Sequence, residues 1–355
     1  MTVCMNHYTI EIADNRAKYQ GLRDLWCRVF GDDPEFVDAF YAAFGYRPDS
    51  DSSAAGVSRS GDDASAESIR GYVVCSEAGK VVSALTCHRC GEMAVHSDAD
   101  GREISLPVYV SYAICTDPEY RGLGLGQMLT AHVRDIVTDE LGGISLVSPA
   151  EESLIVYYEK LGYREGFFTD ERLVVAESED SSEVGAEETA ADASSHGNAI
   201  IWGRSDDGGL KRLETEENRE AYDPALTADV IDAVTYNRYR EEFLGDTAHV
   251  SLSPEMMECV RMCSAGGDGL LLINRGDAIC ALSSQEPVLK ADELLINPAL
   301  SALSEEIGEE IASRFALHMG RGMIIYRSPG LAASQAMYAA PQGIDICGYY
   351  GFPIE

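Results

Sequence analysis

Apolar residues recur at two periods along this chain. Leu25, Trp26, Val29 and Phe30 fall at helical spacing and predict a helix over Leu22 to Phe30. Asp32-Asp33-Pro34-Glu35 joins a capping carboxylate to a first-turn proline, so a second helix is expected through Phe36, Val37, Phe40, Tyr41 and Phe44. Strand-like runs follow. Ile69 to Ser76 and Val81 to Arg89 flank the turn Glu77-Ala78-Gly79-Lys80, and Met93 to Ser97 and Ile104 to Cys115 flank Asp98-Ala99-Asp100-Gly101, predicting two hairpins. A helix is expected over Gly126 to Glu140, with Met128, Leu129, His132, Val133, Ile136 and Val137 on its apolar side. Then come a strand at Ile144 to Val147, a helix at Glu151 to Leu161, and strands at Arg164 to Ala176 and Ala199 to Gly203, read as two arms of one long hairpin.

The second half repeats this order approximately. Helices are expected at Leu226 to Glu242 and Pro254 to Met262, and a hairpin joins Gly269 to Asn274 with Ala278 to Ser284. A strand at Ala291 to Ile296, a helix at Ser304 to Met319 and a strand at Met323 to Arg327 follow, then a helix at Leu331 to Ala339 and a closing strand at Ile344 to Tyr350. The repetition is one of fold and not of sequence. Two stretches fall outside it: Asp49 to Ser68, and Glu177 to Asn198, which is rich in Glu and Asp and holds no Lys or Arg. Neither carries the apolar residues that would offset the entropy of ordering a backbone, so both read as loop insertions.

Composition changes the picture only modestly. A chain of 355 residues suggests two ordinary domains, and 45% hydrophobic content suits a globular protein. No run approaches the roughly 18 apolar residues of a membrane span. Met1 to Lys18 lacks the apolar core of a signal peptide, so a cytoplasmic protein is expected. The formal charge of -33 argues against binding nucleic acid or anionic membranes. It would attract cationic small molecules or basic peptides, although an acidic surface serving solubility accounts for it more simply. Cys87-His88-Arg89-Cys90 has the spacing of a zinc half-site, but it lies in a strand-like run with no second half-site after it, so no metal is expected.

The chemistry concentrates at Thr116-Asp117-Pro118-Glu119-Tyr120-Arg121-Gly122-Leu123-Gly124-Leu125-Gly126-Gln127. A strand enters, glycines turn, and a helix begins. Glycines let backbone N–H groups point inward, and a helix start adds free N–H groups with partial positive charge, which together make a diphosphate cradle. The Gly-Lys-Ser/Thr ending of a Walker loop is missing, and the alternating glycines do not fit G-x-G-x-x-G.

The run from Ile114 to Gly126 resembles the acetyl-CoA motif of the GNAT superfamily of N-acetyltransferases. Tyr157-Tyr158-Glu159-Lys160-Leu161-Gly162-Tyr163 resembles a second segment of that family, and Leu25 to Asp32 resembles the first helix of its bacterial, Eis-like branch. The resemblance implies an α/β (α+β) architecture of two tandem GNAT-like domains, each a mixed, mostly antiparallel sheet flanked by helices. The first, residues 1–207, would be catalytic, with insertions at about 49–68 and 177–198. The second, residues 208–355, would be degenerate, lacking a glycine cradle and shaping the acceptor cleft.

Acetyl-CoA, as co-substrate, would lie where two central strands splay apart. Ile114, Cys115 and Thr116 would pair with the pantetheine arm. Arg121, Gly122, Leu123, Gly124, Leu125, Gly126 and Gln127 would hold the pyrophosphate, and Ser153 and Leu154 would contact CoA. Tyr158 matches the family's general acid, with Tyr157 as its core-facing neighbour. The strand Val108 to Thr116 carries no carboxylate to serve as base; Tyr109, Ser111 and Tyr112 are its polar residues, a water chain could serve instead, and the Eis-like resemblance makes the C-terminal carboxylate, at Glu355, a candidate. The acceptor would be a primary amine of a small molecule or peptide. Two alternatives stay open: an idle acyl-CoA-binding module, which the bare strand favours, and an acyltransferase using another acyl donor.

Overall fold

The computed structural model describes residues 3–5, 7–46, 69–96, 102–176, 201–204, 210–213, 226–284, 288–301 and 306–352. The expected insertions at Asp49 to Ser68 and Glu177 to Asn198 lie outside these residues, as does Glu355.

In chain order the first half contains β1 (Val3–Met5), β2 (Tyr8–Ile12), α1 (Arg16–Phe30), α2 (Pro34–Ala43), β3 (Ile69–Ser76), β4 (Val81–His96), β5 (Glu103–Thr116), α3 (Leu125–Asp135), β6 (Ile144–Val147), α4 (Ser153–Glu159), β7 (Arg164–Val175) and β8 (Ile201–Arg204). The second half contains β9 (Leu210–Leu213), β10 (Ala228–Val230), α5 (Ala233–Leu244), β11 (Val250–Leu252), α6 (Pro254–Cys263), β12 (Leu270–Ile273), β13 (Ala278–Ser284), β14 (Leu289–Ile296), α7 (Pro298–Ser301), α8 (Glu306–His318), β15 (Met323–Pro329) and β16 (Ala333–Ala339). Capping chemistry explains the helix starts. Asn15, Asp33, Asp232 and Ser253 each accept a backbone N–H of the following turn, which removes an orphan donor. The two strands expected at Val81 to Arg89 and Met93 to Ser97 are one, β4, continuous through a register shift near Cys90.

The strands do not form two separate sheets. One sheet runs β1-β2-β3-β4-β5-β6-β16-β7-β15-β14-β13-β12-β10, with β11 paired to β4. The expected pairing of Arg164 to Ala176 with Ala199 to Gly203 is therefore replaced: β7 pairs with β15 and β16, while β8 pairs with β9 apart from the main sheet. Leu331 to Ala339, expected as a helix from its alanines, is largely the strand β16, inserted between β6 and β7. Two open strand edges outweigh a helix propensity of a few tenths of a kcal/mol per residue. Ile344 to Tyr350, expected as a strand, makes only isolated bridges, Phe167 with Gly348 and His249 with Tyr349.

The chain reaches β16 by crossing over β7. Residues 323–329 pair along one edge of β7 and residues 333–338 along the other. At the crossing, Asp170 Oδ1 accepts the backbone N–H groups of Leu331 and Ala332 at 3.0 and 3.1 Å. A Cβ on Gly330 would sit 2.0 Å from the Asp170 carboxyl carbon, so a side chain there would displace the carboxylate that holds the crossing.

Two layers of helix cover the sheet. On one face α1, α2, α5 and α6 share a core with Trp26, Phe40, Cys115, Phe167, Tyr338 and Tyr350. On the other, α3 packs through Leu125, Leu129 and Val133, and α4 through Tyr158. Within the second half, α5 is fastened to β14 by Arg240 and Glu293, both fully buried and 3.1 Å apart. Arg240 also donates to the carbonyls of Val250 and Tyr350, and Tyr236 donates to Glu293.

Because β16 completes the first half and β7 the second, residues 1–207 alone are expected to lack a cooperative thermal transition, and co-refolding with residues 208–355 should restore one. Calorimetry checks this; a sharp transition in the isolated first fragment would contradict it. Arg240→Ala, which leaves Glu293 buried and unpaired, is expected to cost about 3–5 kcal/mol in a denaturant titration.

Candidate active site

The site begins where two parallel strands part. β5 and β6 pair at Val108 with Ile144, Tyr109 with Ser145 and Val110 with Leu146, and no further. β5 continues to Thr116, held on its outer edge by β4 through Ala84 with Cys115 and Ser83 with Thr116. The inner edge from Ser111 to Thr116 is thus free of a strand partner. Within it Ala113 has φ +51, a left-handed conformation costing a non-glycine residue about 1–3 kcal/mol. The register against β4 shifts at this point. Ala113 and Cys115 face the α1–α2 core, while Ile114 packs toward α3 and α4.

The glycine turn closes the open end of the cleft. Gly122 and Gly124 have φ +78 and +74, and a Cβ on either would meet nothing within 4 Å, so both border open space. Gly124 is the N-cap of α3 and supplies no side-chain acceptor. The first N–H groups of α3 therefore keep their capacity for an external anion, and the first turn of the helix holds no acidic side chain to repel one. Gly126 faces the cleft wall, where a Cβ would lie 3.2 Å from Thr116 Oγ1 and 3.8 Å from the Tyr157 hydroxyl. Arg121 is exposed and its Nε donates to the Thr116 carbonyl at 3.4 Å. Leu123 and Gln127 are exposed, and Leu125 is buried under the helix.

Asp117 fixes this turn, a role that inspection of the motif did not assign. Its carboxylate is 2% exposed and meets Lys80 Nζ at 2.9 Å and Arg28 Nη1 at 3.1 Å. It also accepts the Glu119 backbone N–H, and its own N–H donates to Val82. The Lys80 ammonium, aided by that backbone bond and by Arg28, holds the carboxyl below its ordinary value. The only sequence signal was an Asp-Pro pair at a strand end, which marks a turn without naming partners distant in the chain.

The two tyrosines of α4 differ from expectation in depth. Tyr158 is the more buried, at 7% exposure, packed with Val147, Leu161, Tyr163, Met337 and Ala339. Burial, with Tyr157 beside it, pushes its phenol up to about 12. Tyr157 is half-buried, and its hydroxyl lies toward the first turn of α3. Ser153 is exposed and bonds Glu151, while Leu154 is half-buried against the Tyr158 cluster. Ile114, Leu154 and both tyrosines thus pack in one hydrophobic cluster, and the Tyr157 hydroxyl and Thr116 Oγ1 lie beside Gly126 of the glycine turn. Cys115 points to the opposite core. Cys87 and Cys90 are buried in different hydrophobic clusters, so their thiols do not form a pair. Among the described residues no cluster of three or more potential metal ligands exists, and no helix is long and apolar enough to cross a membrane.

Residues 67–165 match the family model described as Acetyltransferase (GNAT) domain. The fold is that of the GNAT acetyltransferases. The GNAT likeness extends over nearly the whole chain in solved structures. A GCN5-related N-acetyltransferase from Kribbella flavida is 15% identical with a TM-score of 0.53, covering 94% of this chain and 71% of that one. One from Anabaena variabilis is 14% identical with a TM-score of 0.50, covering 93% and 70%. Eis1 from Mycobacterium abscessus is 12% identical with a TM-score of 0.50, covering 90% and 65%. No curated protein matches the sequence. At these identities the likeness is one of GNAT fold and does not single out a branch.

Asp117→Asn tests the anchoring of the turn. A carboxyl held below its ordinary 3.8 stabilises the fold above that pH and ceases to as pH falls through the folded value. The variant should melt lower than the parent at pH 7, and the gap should close below pH 3.8. A gap unchanged in acid would mean the loss is one of packing.

Proposed function

We propose that the chain is an N-acyltransferase that moves an acetyl group from acetyl-CoA to a primary amine within a ternary complex. The observation that carries this reading is the parting of β5 and β6 after Val110 and Leu146, directly opposite an uncapped, acid-free helix start at Gly124. The free edge from Ser111 to Thr116 suits an extended amide-bearing arm, which pairs with a strand edge as another strand would. The N–H groups from Gly122 to Gln127 suit a diphosphate, with Arg121 adding charge. Residues 1–207 supply this cradle, and residues 208–355 wall the acceptor side.

When bound, acetyl-CoA supplies the acyl group as a thioester, whose C–S bond breaks as the C–N bond to the amine forms. The chain's own part is mainly orientation, which can account for much of the rate. The left-handed residue Ala113 lies on the edge of β5 that β6 leaves unpaired, and N–H groups of that edge are the candidates to stabilise developing negative charge on oxygen. Tyr158, held near 12, enters protonated, the state a general acid needs. A thiol of about 8.5 lies well below it, so the phenol acts as a hydrogen-bond donor to sulfur as charge builds there. Glu355 is retained as the proposed base.

The bare strand Val108 to Thr116 favours a second reading, an acyl-CoA-binding module without turnover. Thiol release with a panel of amines and acyl-CoAs separates the two and identifies the donor. Gly124→Glu is expected to abolish CoA binding in calorimetry without loss of fold, because a side chain there enters the open space of the cradle and brings negative charge. A folded variant that binds normally would displace the cradle. Tyr158→Phe is expected to lower kcat by about 10²–10⁴-fold with little change in CoA affinity, and Tyr157→Phe much less. Equal, small effects at both would leave Tyr158 a packing residue.

A further inference from the structure

The chain's second half builds a cavity that the glycine cleft does not use. It has a volume of about 260 Å³ and lies between α6, through Val260, Cys263 and Ser264, and the strands β7, β13, β14 and β15. Its position relative to the cleft follows from strand alternation. On β15, Ile324 and Tyr326 pack with α8, whereas Ile325 and Arg327 line the cavity. Val260 belongs to the same core as Ala113 and Cys115 of β5. The cavity therefore opens on the sheet face opposite α3 and α4, the face from which an acceptor can approach while a diphosphate occupies the helix start.

The lining has a definite charge pattern. Glu171 and Asp292 are acidic, and Lys290 and Arg327 are basic, in a chain whose acidic residues outnumber its basic ones 60 to 27. Arg327 Nε meets Glu171 Oε2 at 3.2 Å. Ser264 donates to Val260 and Ser283 to the Lys290 carbonyl, so these hydroxyl protons are already committed. Cys263 is an exposed residue on the cavity wall, where desolvation of its thiol pushes it up to about 11 and keeps it neutral. The volume falls just under the ~300–1,000 Å³ typical of drug-sized ligands, which bounds the occupant's size.

We propose that this cavity holds the acceptor, and that the acceptor is a small zwitterionic amine: a free amino acid, or a compound with the same pairing of ammonium and carboxylate. Asp292 would face its cationic end and Lys290 its anionic end, with the Arg327–Glu171 ion pair forming part of the wall. A polycation, which the net charge of the chain alone would favour, meets two cations in this lining. The assignment of an acceptor role rests on the acyl-transfer reading, whereas the charge pattern stands without it.

The test is ligand-observed NMR on the full chain without CoA, using the proteinogenic amino acids and a set of dipeptides beside their decarboxylated amines. At least one zwitterion is expected to bind about tenfold or more tightly than its decarboxylated counterpart, as a charged hydrogen bond is lost with the carboxylate. Lys290→Gln, on an exposed side chain, should narrow that ratio, and Asp292→Asn should weaken zwitterion and amine together. Binding of no zwitterion, or equal or tighter binding of the amines, overturns the proposal. Thiol release from acetyl-CoA on the same samples keeps the two readings apart. Turnover with cadaverine but with no zwitterion sinks this inference and leaves the acyl transfer standing. Zwitterion binding without CoA binding sinks the transfer and leaves a zwitterion site.

Discussion

Backbone hydrogen bonding along the edges of β6 is the constraint on which the rest depends. A strand that parts from its neighbour leaves amides and carbonyls without partners, and buried ones must find others. β6 loses β5 beyond Leu146, yet stays ordered because β16 holds its other edge from Ser145 to Val147. β16 is held by β7, and β7 by β15. The opening of the cleft and the integrity of the sheet are thus secured from distant parts of the chain. β16 also supplies Met337 and Ala339 to the wall behind Tyr158, so the environment of that phenol depends on a strand more than 170 residues downstream.

What could be read from residues alone follows from range. The glycine turn, the helices at α1, α2 and α6, and the hairpin of β12 and β13 are local: caps, prolines, periodicity and a four-residue turn decide them. The crossing of β7 is not local. Leu331 to Ala339 reads as helical because its alanines favour a helix and nothing within it reports two waiting strand edges. Gly330 and Asp170 carry the signal for the crossing, but their relation is one of spatial approach across 160 positions. Asp117 was visible as part of a motif. Its function as an anchor needed Arg28 and Lys80, which come from a helix and a turn far from it in sequence.

Net charge and the charge of a cavity answer different questions for a similar reason. A charge of -33 describes the chain as a whole, and most of it resides on surfaces screened by water and salt. A ligand in a cavity responds to the groups within a few ångströms. Those at the cavity beside α6 balance, two acids against two bases.

The second half repeats the parting of strands without repeating the cradle. β14 and β15 are parallel and pair only from Leu289 with Ile324 to Ala291 with Tyr326, while β14 runs on to Ile296, as β5 runs on past β6. A helix, α8, makes the crossover as α3 does in the first half. What differs is the helix start. α3 opens on glycines with no acid in its first turn, whereas α8 carries Glu306 and Glu309 there. Acidic residues at a helix N-terminus satisfy its dipole from within the chain, which stabilises the helix and repels a diphosphate. The same geometry that would suit an anion in one half is neutralised in the other by side-chain charge. This frees the second half to contribute walls, the strand β16 and the buried Arg240–Glu293 pair.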